Sequence, residues 1–172
     1  MPPHLNRPIA LTLGVLIALS GQLALAETAV AKVWSVPSPA TELDPLTNLT
    51  EYENRIAFLV NRKRKAADLK PVRYFESCVD RTSERWSAHL ADSGELAHQD
   101  LTKVLNDCNV DWVGEALVRG TAVLPGAAVK AWMASPPHRK VLMKPRASRA
   151  GVGTRIDAEG RVVTVLNFSD RD

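Results

Sequence analysis

Residues able to do chemistry are few and far apart in this chain of 172 residues. His98 follows a helix-stopping glycine, Glu115 sits in Val113-Gly114-Glu115, and His138 sits in Ser135-Pro-Pro-His138-Arg139. Two imidazoles and a carboxylate can hold zinc and leave a fourth position open for water. The three come from distant segments, so spacing alone leaves surface or capping roles open for them. Cys78 and Cys108 are the only cysteines, and one pairing is available to them. An oxidising compartment would make them a disulfide, whereas a reducing one would leave room for a Cys–His nucleophile. The sequence has no HExxH zinc helix, no G-x-S-x-G elbow and no P-loop. Asp107, Asn109 and Asp111 imitate the start of a calcium loop, but Trp112 and Val118 stand where that loop needs Gly and Glu.

The N-terminus points to the compartment. One base, Arg7, precedes an apolar run from Ile9 to Leu19, and Ala24-Leu25-Ala26 follows. That is the order of a secretory signal with an A-x-A cleavage site, so residues 1–26 are expected to be removed and the protein secreted to the extracellular side. The competing reading is a retained anchor, for which the uninterrupted apolar run is short, and no stable membrane span is expected after cleavage. Export makes the Cys78–Cys108 disulfide the expected state, stabilising by about 3–4 kcal/mol through its loop. Residues 27–48 carry Pro37, Pro39 and Pro45 without periodicity and read as a tether, leaving 49–172 as one folded domain. A net charge of +3 with 45% hydrophobic and 24% charged residues excludes wholesale disorder and gives no ground for nucleic-acid binding.

Helices and strands must position the candidate residues. Thr50 with Glu53 matches a capping box, and Ile56, Leu59 and Val60 continue at helical spacing. The basic run Arg62–Lys65 on that helix reads as a solvated face, with contact to an anionic surface as the alternative. Cys78 to about Ser93 predicts a second helix through Val79, Trp86 and Leu90, stopped by Gly94. Leu96-Ala97-His98 predicts a short strand with His98 and Asp100 facing the same way. Trp112, Val113 and Leu117 suggest a helical turn ending at Gly120. Pro125 opens a helix through Val129, Trp132 and Met133, broken by Pro136-Pro137. Residues 151–156 and 161–168 predict a hairpin turned by Asp157-Ala-Glu-Gly160. Helices followed by a hairpin imply a layered α+β domain.

In this order the motifs carry a resemblance. They are Asn54-Arg55, Val60-Asn61, Leu69-Lys-Pro71-Val72, Ser87-Ala-His-Leu90-Ala, Gly94, Ala97-His98-Gln-Asp100, Val113-Gly114-Glu115, Trp132-Met133, Ser135-Pro136, His138-Arg139 and Gly151-Val152-Gly153. Over about residues 50–168 the chain resembles the bacterial type of the CAP superfamily, the SCP-like extracellular domains. The resemblance implies a three-layer α-β-α sandwich with a shallow cleft of two His and two acidic residues, which in some members holds a divalent metal. Carried over, the cleft residues are His98, Glu115 and His138, with Ser135 or Asp100 at the edge. Ala116 replaces the Asn of the usual Gly-Glu-Asn, Pro137 stands where Gly usually precedes the second His, and Ser135 falls where many eukaryotic members have a second Glu. The expected function is a secreted, non-catalytic binding module. Its partner would be an envelope component, a lipid or other small apolar ligand, or a protein; no cofactor is required, and zinc at His98, Glu115 and His138 is an option. The alternative is a metal-assisted hydrolase or peptidase using the same cleft.

Overall fold

A computed structural model of the chain describes residues 48–75 and 77–171, so the leader read over 1–26 and all of the tether but Asn48 lie outside the described residues. Helix α1, Leu49–Lys65, is capped two residues before the expected Thr50: Asn48 Oδ1 accepts from Glu51 N at 3.0 Å. Glu53 does not close a capping box. It lies on the buried side of α1 with Tyr52, Ile56 and Val60, and its Oε1 accepts from Thr154 N at 2.7 Å. Strand β1 (Arg73–Tyr74) and helices α2 (Cys78–Ser93) and α3 (Leu101–Cys108) follow. Ser77 Oγ caps α2 at Asp80 N, and Gly94, at φ 73°, closes it where expected. The disulfide joins Cys78 at the start of α2 to Cys108 at the end of α3.

Residues 96–98 form no strand, and the expected helical turn after Trp112 is instead strand β2, Val113–Gly120. Its apolar residues fall at a spacing a helix could also use. Pairing along the whole of β4 (Val162–Ser169), from Val113↔Ser169 to Gly120↔Val162, decides for the strand. Helices α4 (Pro125–Ala134) and α5 (Pro136–Leu142) meet at Ser135, so the proline pair ends one helix and begins another. The hairpin of β3 (Arg149–Ile156) with β4 forms as expected. The sheet runs β1-β3-β4-β2, with β1 parallel to β3 and the other pairs antiparallel.

Alternation along the strands separates two apolar layers. Ala116, Ala150, Val152, Val162, Leu166 and Phe168 face α1, α4 and α5, whereas Val163 and Val165 face Leu90 and Ala91 of α2. The domain is therefore α+β, with helices on both faces of a four-stranded mixed sheet, as expected. Val79, Val104, Cys108, Val110 and Val113 form a smaller core around the disulfide.

Strand β1 covers only two residues of β3, which leaves the rest of that edge to side chains. Val152 N donates to Asp80 Oδ1 at 3.3 Å and Thr154 N to Glu53 Oε1, closing an edge that would otherwise present free donors. Burial first, then the Glu84 and Asp80 carboxylates, push the Glu53 carboxyl up from 4.5 to about 7, against the pull of the Thr154 N–H and of Arg155. The folded value lies above the unfolded one, so ionisation is what costs stability. Through this group the domain is most stable below pH 4.5, loses stability on the way to pH 7, and stays at the lower level above it. Glu53→Gln keeps an acceptor for Thr154 N and is expected to remove about 2–3 kcal/mol of the decline between about pH 5 and pH 8. Urea unfolding across that range measures it, and the same slope in both proteins would contradict it.

Candidate functional site

The edge strand β2 supplies the floor of the site. Gly114 and Glu115 point to opposite faces of the sheet. A Cβ at Gly114 would lie 2.8 Å from Val141 Cγ1 and 2.8 Å from Trp112 Cζ2, so its absence lets α5 close onto the strand. Glu115 points the other way, its side chain wholly buried, and pairs in register with Asn167. The Asn167 amide nitrogen donates to Thr82 Oγ1 at 3.0 Å.

The segment between α2 and α3 is laid over Glu115 by two latches. Arg119, near the end of β2, donates to Gly94 O at 2.7 Å, to Glu95 O at 2.8 Å and to Leu90 O. These are the last carbonyls of α2 and the first beyond it, groups that lack a partner within the helix. Trp86 Nε1 then donates to Ala97 O at 2.9 Å. His98 and Gln99 come next, and both engage Glu115. His98 Nδ1 lies 2.6 Å from Glu115 Oε1, Gln99 N donates to the same oxygen at 3.2 Å, and Gln99 Nε2 donates to Oε2 at 2.5 Å. Because the carboxylate accepts, Nδ1 of His98 is the donor of this pair, and the other ring nitrogen is not engaged by Glu115. The His98 side chain is 56% exposed above its buried partner.

Helix α5 brings the second imidazole. The His138 ring centre lies 6.5 Å from that of His98, with the planes inclined by 52°. Partial burial, and secondarily the nearness of His98, lower the His138 pKa and favour its neutral form. Ser135 stands at the joint of α4 and α5, where its carbonyl accepts from Arg139 N at 2.8 Å and its side chain makes no capping bond.

The structure thus brings His98 and Glu115 into direct contact and places the His138 ring beside them. Asp100 turns away to cap α3, accepting from Thr102 N at 2.9 Å and Lys103 N at 3.2 Å, so it does not face the same way as His98. Among the described residues no three of His, Cys, Asp and Glu are grouped to hold a metal ion. Gln99, Arg119 and Arg64 carry roles that residue type and spacing do not reveal. Gln99 at least adjoins His98, while nothing local distinguishes the two arginines from solvated ones. Arg64, expected on a solvated face, is instead wholly buried, its NH1 donating to Leu142 O at 2.7 Å at the end of α5.

Fold and site define a class: α+β domains with helices on both faces of a mixed sheet and two imidazoles near the buried carboxylate of one edge strand. The profile of the Cysteine-rich secretory protein family, CAP, matches residues 58–168, and the chain belongs to that family. It is 27% identical over 114 residues to the uncharacterized protein YkwD of Bacillus subtilis, a match spanning 62% of this chain and 44% of that protein. The chain therefore corresponds to less than half of that relative's length. Among solved structures, an outer surface protein of Borrelia burgdorferi superposes with a TM-score of 0.65 at 16% identity, covering 73% of this chain and 96% of that one. An extracellular SCP-domain protein of Bacillus anthracis gives 0.62 at 20% identity, covering 72% and 41%. These two likenesses concern the fold. No helix among the described residues is long and apolar enough to cross a membrane.

Proposed function

We propose that the protein is an extracellular binding module whose cleft presents the imidazoles of His98 and His138 to a ligand, with Ser135 at its edge. The observation that carries this reading is the engagement of Glu115: three N–H groups of His98 and Gln99 hold its two oxygens in a buried position. Held this way, Glu115 orients His98 and is not poised as a base or as a third metal ligand. A divalent cation would take its protein donors from the other ring nitrogen of His98 and from His138, one fewer than catalytic zinc ordinarily has. When bound, it would supply positive charge to anchor an anionic group of the ligand. Titration calorimetry with zinc is expected to show one weak site, abolished in His98→Ala/His138→Ala. Equal binding in the two proteins would remove the cleft as a metal-binding site.

A groove of about 420 Å³ between α1 and α4 suits the small apolar ligand. Leu59, Val129 and Met133 line it, with Arg62, Lys63 and Lys130 at its rim. That composition fits an amphiphile with an acidic head, such as a component of the cell envelope. One observation supports the hydrolytic alternative: Glu115 orients the His98 imidazole through Nδ1, the way a carboxylate positions a general base. Turnover of ester or peptide substrates that disappears with His98→Ala would replace the binding reading.

A further inference from the structure

Helix α1 turns Tyr52, Ile56, Val60 and Arg64 inward, and the remaining stripe outward has a distinct chemistry. Arg55, Phe58, Arg62 and Lys65 recur on it at spacings of three, four and three residues. Phe58 is a large hydrophobic side chain left 51% exposed. Two guanidinium groups cover its ring, Arg55 Cζ at 5.2 Å and Arg62 Cζ at 5.7 Å from the centroid. Lys63 and, on α4, Lys130 are exposed beside them. None of these five bases takes part in an ion pair among the described residues. Exposed acids on α1 and just beyond it stand only at the margins, Glu51 in the first turn and Asp68 past the last.

A single exposed ring is ordinary on a solvated face. This one stands beneath two guanidinium groups and among five bases without an ion pair among the described residues, whereas a contact with a soluble polyanion needs the charges alone. Aromatic and basic groups together match the boundary of an anionic bilayer, where the ring sits at headgroup depth and the bases meet phosphates. We propose that this face of α1 docks the domain on an anionic phospholipid surface, with Phe58 seated among the headgroups and the surrounding bases on their phosphates. The docking face is separate from His98 and His138, though it shares Arg62, Lys63 and Lys130 with the rim of the groove between α1 and α4, and failure of vesicle binding leaves the His98–His138 reading untouched.

The test is co-sedimentation of the protein, recovered from an exporting host with its native N-terminus, with vesicles of pure phosphatidylcholine or of phosphatidylcholine containing phosphatidylglycerol. Binding is expected on the anionic vesicles only and should weaken as salt is raised. Each base near such a surface adds about fivefold to partitioning, so Arg55→Gln/Lys65→Gln should lower binding by about 25-fold. Arg81→Gln, an exposed base of α2 in the opposite layer, should change it little. Phe58→Ser, at an exposed position outside the buried core, should weaken vesicle binding while leaving the urea midpoint and elution from a heparin column unchanged. Absence of vesicle binding, equal binding to both vesicle types, or full binding by Phe58→Ser would each overturn the proposal. The last result would leave a polyanion contact in its place.

Discussion

Replacing Arg64 by methionine is expected to lower the stability of the domain by about 3–5 kcal/mol. The side chain is wholly buried and spends all three guanidinium nitrogens on backbone carbonyls. Nε donates to Lys70 O at 2.9 Å, NH1 to Leu142 O at 2.7 Å and Lys144 O at 3.1 Å, and NH2 to Ala147 O at 3.3 Å. The acceptors belong to the turn after α1, the end of α5 and the segment leading into β3, so one side chain fastens three pieces of backbone. Burial pulls the Arg64 pKa below its usual value, with Tyr74 acting in the opposite direction. Methionine fills much of the same space and donates nothing, leaving four carbonyls without their donor. The consequence reaches His138, because α5 carries it and the C-terminal end of that helix would lose its anchor. Urea unfolding measures the stability loss. Arg62→Met, two residues away and exposed, should stay within about 0.5 kcal/mol of wild type. Equal midpoints for the two variants would contradict the role of Arg64.

Arg64 also shows where a sequence stops being legible. Within Arg62–Lys65 all four residues are basic, and periodicity suggests only that some face outward. Which one turns inward is set by carbonyls some eighty positions along the chain. Glu53 is hidden for the same reason: its spacing from Thr50 fits a local cap, yet the unpaired edge of β3 offers it a donor across the fold. The second helix and its Gly94 stop, the hairpin and the single cysteine pairing are legible because each depends on neighbouring residues or leaves only one solution. Strand β2 is not, since its identity rests on β4, more than forty residues later. Of the candidate site, His98, Glu115 and His138 can be named from residue type and order. The bond from Gln99 to Glu115 and the Arg119 latch depend on the path of a loop, which no short-range pattern specifies.

Gly151→Ala is expected to cost about 3–5 kcal/mol or to prevent folding, although it adds a single methyl group. A Cβ there would lie 2.1 Å from Asp80 Cα and 2.6 Å from Asp80 N, both of them backbone atoms of α2. No rotamer change relieves such a contact; the helix itself must lift. Gly153 repeats the situation one full pleat along the strand, with its Cβ position 2.4 Å from Ser83 O. The two glycines are thus a track on which the first half of α2 lies directly against β3. Lifting α2 would stretch the bond from Ser83 Oγ to Gly151 O at 3.0 Å, the contact of Val152 N with Asp80, and the Asn167–Thr82 bond behind Glu115. It would also carry away Trp86, which holds Ala97 immediately before His98. The helix–sheet distance and the placement of the first imidazole therefore share one cause. Gly160→Ala is the control: nothing lies within 4 Å of its Cβ, and only its φ of 74° opposes a side chain, at a cost of about 1–2 kcal/mol. Urea unfolding of the two variants decides the matter, and a Gly151→Ala protein as stable as Gly160→Ala would show that α2 does not rest on the strand as described.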